Sequence, residues 1–200
     1  GVTLGNALRR VLLSSLEGAA VSSIRIADVL HEFSEIPGVR EDVIQVTLQV
    51  KQLRLKLDGV DTTRMNLEVR GEGTVTAADI ITPAEVEIVN PELHIATLSA
   101  SGRLEMEMTV APGVGYRTAD GNKGASSVIG VIPVDSIFSP VRRVSYKVES
   151  TQVGQMTNFD RLVLDVETKP SMRPRDAVAS AVSDTSCAFD DSVTACLYDQ

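Results

Sequence analysis

Residues 1–18 read GVTLGNALRRVLLSSLEG, and the fold turns on how they are taken. Leu4, Leu8, Val11 and Leu12 recur at i, i+4, i+7 and i+8, the spacing that gathers side chains on one face of an α-helix. Thr3 is the N-cap candidate, because its hydroxyl can accept from a first-turn amide. Gly18 is the expected stop. Arg9 and Arg10 flank the apolar stripe, and small Gly5 and Ala7 leave room for a second helix to approach. By residue type alone the arginine pair reads equally as two solvated charges or as an interface anchor, since a guanidinium makes several directed bonds.

Outward from this helix the period changes. Val21, Ile24, Ile26 and Val29 lie in a β-rich stretch, and Ile36-Pro37-Gly38 marks a turn. Ile44, Val46, Leu48 and Val50 alternate as in a strand, and Leu53, Leu55 and Leu57 continue the alternation. Arg40-Glu41-Asp42 just before them reads as a charged helix start. The local pattern favours strand. More strands are expected around Met65–Val69, Val86–Ile88, His94–Leu98, Leu104–Val110, Val128–Val134, Val144–Val148 and Leu162–Val166, with a polar surface loop from Ala119 to Ser127. After Pro170 and Pro174 a last helix places Val178, Val182, Phe189 and Val193 loosely on one face. The sum is an α+β chain: antiparallel-type strands with a helix near each end.

Composition narrows the function. The chain has 200 residues, a formal net charge of −8, 43% hydrophobic and 23% charged residues. It is globular in composition, and its acidic balance is wrong for a protein that wraps nucleic acid. Its apolar runs are far shorter than the roughly 20 residues of a membrane span. Trp is absent and aromatics are 4%, too few for base-stacking platforms. Cys187 and Cys196 form no disulfide framework and no zinc spacing, which points to a reducing, cytoplasmic setting. Gly1 in place of an initiator Met, and Gln200 without a cap or tail, suggest a piece cut at both ends.

No catalytic constellation stands out. His31 and His94 have no metal-spaced partner and read as residues satisfied by backbone groups. Ser14-Ser15 and Ser126-Ser127 lack a nucleophile elbow. Gly71-Glu72-Gly73 and Gly113-Val114-Gly115 are too short for a phosphate cradle and read as turns. Glu41-Asp42 and Asp190-Asp191 read as solvated faces. No metal, cofactor or small-molecule substrate is expected.

The string GVTLGNALRRVLLSS resembles the opening helix of the N-terminal domain of the bacterial DNA-directed RNA polymerase alpha subunit. PGVREDV, GTVTAADI, NPELHIATL, PGVGY, IPVDSIFSPVRRVSYKVES and FDRLVLDVETK follow in family order, so the likeness runs from Gly1 to about Ala181. Its wording is nearest the actinobacterial branch. The resemblance implies a non-catalytic scaffold within a nucleotidyltransferase complex, which dimerises and receives the beta and beta-prime subunits. It implies a dimerisation domain of helices on an antiparallel sheet (residues 1–18 and 140–200) with an inserted β-rich domain (19–139). It also overrides the local pattern at residues 41–51, making them a helix followed by a strand at Leu53–Leu57. Carried over by position, Arg10 and Leu13 would contact the beta subunit, while Leu4, Gly5, Leu8, Val11, Leu12, Val178 and Phe189 would line the dimer seam.

The sequence departs from the family at its ends. The family's strands before the first helix lie outside these residues, as do the linker and the C-terminal DNA-binding domain, so no direct DNA contact is expected. In the last helix, Ser183, Asp184, Thr185, Ser186 and Cys187, then Asp190-Asp191, stand where the family has a leucine-rich run. Ser, Asp and Thr favour caps and turns over helix interiors. The alternative reading is therefore a degenerate homologue or fragment that does not dimerise or assemble.

Overall fold

The structure, a computed structural model, describes residues 1–59, 61–123 and 129–188. The chain order is α1 (Val2–Ser14), β1 (Glu17–Ile26), α2 (Val43–Val50), β2 (Leu55–Leu57), β3 (Thr63–Arg70), β4 (Gly73–Thr76), β5 (Ile80–Ile81), β6 (Val86–Ile88), β7 (His94–Leu98) and β8 (Arg103–Val114). It continues with β9 (Tyr116–Arg117), α3 (Ala119–Asn122), β10 (Val131–Pro133), β11 (Ser136–Ile137), β12 (Val141–Val153), β13 (Met156–Thr168) and α4 (Pro174–Ala188). This is an α+β fold. Two compact units divide it: residues 1–16 with the chain from Ser139 onward, and Glu17–Phe138.

The second unit is built on a seven-stranded sheet in the order β5-β3-β8-β1-β2-β6, with β10 also paired to β1, every pairing antiparallel. Alternation fixes which side faces the core. Leu104, Met106, Met108 and Val110 of β8 are buried, with Glu105, Glu107 and Thr109 on the other face. The register sets Met108 beside both Ile24 and Met65. Val43, Val46 and Val50 of α2 belong to the same apolar cluster. Smaller pairs, β4–β7 and β9–β11, complete this unit.

The first unit consists of α1 and α4 with the long β12–β13 hairpin. Its core joins Leu12 and Leu16 to Val141, Val144, Ala177 and Ala181.

Several local expectations are corrected. Residues 43–50 are helix, as the family likeness implied, and not strand. Asp42 is the N-cap, its Oδ1 accepting from Gln45 N at 2.7 Å, and the buried positions Val43, Val46 and Val50 follow the helical period. The alternating Ile44 and Leu48 are exposed. Helix α1 starts at Val2 with Gly1 as N-cap, so Thr3 is inside it. It ends at Ser14 with Ser15 as C-cap, so Gly18 is not its stop. Gly18 lies in β1 opposite Gly113 of β8, where a Cβ would stand 1.9 Å from the Phe138 carbonyl oxygen. Gly113 is likewise a strand residue under the Phe138 ring, while Gly71 (φ +92°) and Gly115 (φ +68°) take the turn conformation. β1 ends at Ile26, short of Val29. The expected loop at Ala119 begins as helix α3, capped by the Thr118 side chain. Ser126 and Ser127 lie outside the described residues, as do Phe189, Asp190, Asp191, Val193 and Cys196.

Candidate functional site

Helix α1 carries most of the residues that the sequence singled out, and its geometry sorts them. Gly5, Leu8 and Leu12 are buried. At about 100° per residue they fall in one stripe, and that stripe faces the unit's own core. Gly5 is there for contact: a Cβ at this position would stand 2.6 Å from Cδ2 of Tyr146 on β12 and 3.0 Å from Leu162 Cδ1 on β13. Leu12 is fully buried among Val141, Val144, Ala177 and Ala181. These side chains already have partners within the protomer.

The flanks of the stripe differ. Arg10 points roughly opposite to it and is exposed, with exposed Asn6 and half-buried Leu13 on its side. Exposed Leu4 and half-buried Ala7 and Val11 lie on the other flank. Val2 and Arg9 are exposed as well. The Ser14 hydroxyl donates to the Arg10 backbone carbonyl at 2.7 Å, within the last turn of the helix. Beside α1, helix α4 presents Ala177 and Ala181, both fully buried, as the small side chains that let it pack closely. Val178 is half-buried against the same core. The face expected from the sequence, Val178 with Val182, is therefore the shoulder of the packed face and not its centre. Phe189 lies outside the described residues.

In the second unit the chemistry-bearing residues are structural. His31 Nδ1 lies 2.9 Å from the Ser34 hydroxyl, and His94 Nε2 lies 3.2 Å from the Thr97 hydroxyl, so side chains and not backbone groups satisfy both rings. Glu41 is no solvated charge. Its carboxylate accepts from Thr97 N at 2.7 Å and from Thr97 Oγ1 at 3.0 Å, with His94 Nε2 3.8 Å away. Burial pushes the Glu41 carboxyl upward, but the Thr97 amide and hydroxyl, its own amide and the nearby His94 outweigh that and hold it below the usual range. Lys51 at the end of α2 bonds Asp135 at 2.7 Å. The Lys51 ammonium and the Ala119 amide hold the Asp135 carboxyl low against a smaller effect of burial. Among the described residues, no group of three or more His, Cys, Asp or Glu side chains converges as a metal site.

The sequence reading missed a set of exposed apolar side chains in this unit. Leu30 and Phe33 are 70% and 76% exposed, and Ile44 and Leu48 line a groove with Ile132 and Pro133. The signal is masked in the sequence, where Ile44 and Leu48 alternate with Val46 and Val50 as in a strand, whereas in the helix they fall on its exposed side. Large apolar side chains left in water mark surfaces that contact protein.

Comparison with known proteins places this architecture. Residues 24–139 match the family model described as the RNA polymerase Rpb3/RpoA insert domain. Over 181 residues, 90% of this chain, it is 58% identical to a protein of Carboxydothermus hydrogenoformans named DNA-directed RNA polymerase subunit alpha, covering 58% of that protein. Proteins of the same name from Frankia casuarinae and Nocardioides sp. are 59% and 60% identical over the same share of this chain, which covers 52% and 54% of them. The chain belongs to the bacterial RNA polymerase alpha-subunit family, and it spans about half the length of these relatives.

Proposed function

We propose that this chain is a non-catalytic scaffold of DNA-directed RNA polymerase that dimerises and nucleates assembly of the beta and beta-prime subunits. The observation that carries the proposal is the division of α1 into one buried stripe and two partly exposed flanks, on which Leu4 and Arg10 are exposed while Val11 and Leu13 also pack against the unit's own core. The stripe of Gly5, Leu8 and Leu12 holds the helix in place. The flank with Arg10 and Leu13 faces the beta subunit, and the flank with Leu4 and Val11 forms the seam with a second copy, extended by Val178 and by Phe189. Residues 1–18 and 140–200 form the dimerisation part, and 19–139 the insert. The protein works in the cytoplasm and takes no small-molecule substrate of its own.

An arginine whose fork is engaged across such an interface is worth about 2–5 kcal/mol on truncation, much of it from the partner group left unpaired. Arg10→Ala is therefore expected to abolish capture of the beta subunit in a pull-down while circular dichroism remains that of the wild type, because Arg10 lies on the exposed side of α1. Wild-type capture by Arg10→Ala would show that the interface is elsewhere.

A further inference from the structure

We propose that the outer face of the seven-stranded sheet carries an oxyanion pocket for a phosphate-type ligand, formed by Ser23, Arg25, Arg64 and Thr109. The pocket has a volume of about 130 Å³ and is walled by Val131. It follows from strand alternation. Ile24, Ile26, Met65, Met108 and Val110 turn inward, so Ser23 and Arg25 of β1, Arg64 of β3 and Thr109 of β8 share the opposite face. The register then brings them together. Thr109 is the Cα partner of Ser23 on one side and of Arg64 on the other, and Arg25 is one row away opposite Glu107. The two hydroxyl-bearing residues and the two arginines, drawn from three strands, line the same pocket.

The charge on this face is unevenly satisfied. Arg70 holds Glu68 and Glu105, Arg103 holds Glu105, and Arg64 holds Glu107 through a 2.6 Å bond. Arg25 holds no carboxylate among the described residues, because the Glu107 opposite it is engaged by Arg64. The hydroxyls of Ser23 and Thr109 also have no protein partner among the described residues. One bond leaves most of the five Arg64 N–H donors open. The pocket thus lines two arginines against one glutamate, together with two hydroxyls that have no protein partner among the described residues. A tetrahedral oxyanion offers several acceptors, and guanidinium forks match its geometry. The carboxylate of Glu107 on the pocket wall opposes the anion, so its charge sets an upper limit on affinity.

That opposition gives a test with two signs. Inorganic phosphate is titrated into the full chain at constant ionic strength, chloride being exchanged for phosphate, and backbone amide resonances are followed by NMR. Saturating shifts confined to residues around Ser23, Arg25, Arg64, Thr109 and Val131 are expected. Arg25→Ala should weaken the phosphate affinity roughly tenfold, as loss of a charge-assisted bond does. Arg64→Ala should weaken it further, because it also releases Glu107. Glu107→Gln should strengthen it. All three side chains are outward-facing, and an unchanged amide spectrum away from the pocket verifies the fold of each variant. Shifts that never saturate, an unchanged affinity in both arginine variants, or weaker binding in Glu107→Gln would each overturn the site.

Discussion

Glu41 shows how a single side chain sets an element in place. Its carboxylate takes both the amide and the hydroxyl of Thr97, and Arg40 N donates to the Thr97 carbonyl at 3.0 Å. The residue next to it, Asp42, caps α2. The loop before the helix is thus clamped to β7 one residue ahead of the cap. The Glu41 carboxyl ionises more readily folded than unfolded, so its contribution to stability is present above its ordinary range, near 4.5, and fades as pH falls through the lower folded value. Urea midpoints should be lower for Glu41→Gln than for the wild type at pH 7, and the two should converge as the pH drops below about 4.5. A gap that persists unchanged into acid would show that the lost charge is not the cause. The sequence offered Glu41 and Asp42 as one acidic pair on a solvated face. Their separate roles depend on Thr97, 56 residues away, and on a cap that exists only once α2 is helical.

At the scale of elements, β1 and β8 meet at a glycine pair because something must lie across them. Gly18 and Gly113 are opposite in register, and Phe138, 2% exposed, rests on both: its carbonyl oxygen against Gly18 and its ring against Gly113. Arg117 stacks on the same ring at 5.3 Å from its centroid. Gly18→Ala would press a methyl group into a backbone oxygen that cannot rotate away, and is expected to cost about 1–3 kcal/mol in denaturant unfolding. Gly73→Ala in β4 is the control, since nothing lies within 4 Å of its Cβ position and its φ is ordinary; it should stay within about 0.5 kcal/mol of the wild type. Equal effects would mean that strand propensity and not contact governs both sites. This contact was illegible in the sequence, where Gly18 looked like a helix stop, because its partner lies 120 residues away. The strands with strict alternation were legible: Leu104 to Val110 declares its own faces. Residues 43–50 misled because two apolar sets overlap there, one alternating and one helical, and only packing against the sheet distinguishes them.

At the scale of the whole molecule, the question is whether one chain suffices. The buried stripe of α1 was legible as an apolar face, but its partner was not: Gly5, Leu8 and Leu12 pack on β12, β13 and α4 of the same chain, and a periodicity says nothing about which surface covers it. A proposed seam must therefore use what the core leaves exposed: Leu4, 36% exposed, and the outer parts of Val11 and Val178, which also pack against that core. In a two-fold dimer each residue meets the same patch on its partner, so every substitution counts twice. Fully burying a leucine is worth about 1.5–3 kcal/mol; Leu4 is 36% exposed, so a seam gains about a third of that per copy, and two copies make Leu4→Ala worth about 1–2 kcal/mol, or roughly one decade in dissociation constant. A stable interface also needs about 1,200–2,000 Å² of total buried surface, more than a helix flank offers, so α4 has to contribute. Ser183 and Asp184, both exposed, lie on that helix, where the family resemblance implies a leucine-rich run. Light scattering over a dilution series should give twice the chain mass for the wild type at micromolar concentration and a dissociation midpoint about tenfold higher for Leu4→Ala. A wild-type chain that scatters as a monomer would refute the self-assembling scaffold and favour a homologue that keeps the insert but has lost its seam. A dimer unaffected by Leu4→Ala would instead move the seam off this flank of α1.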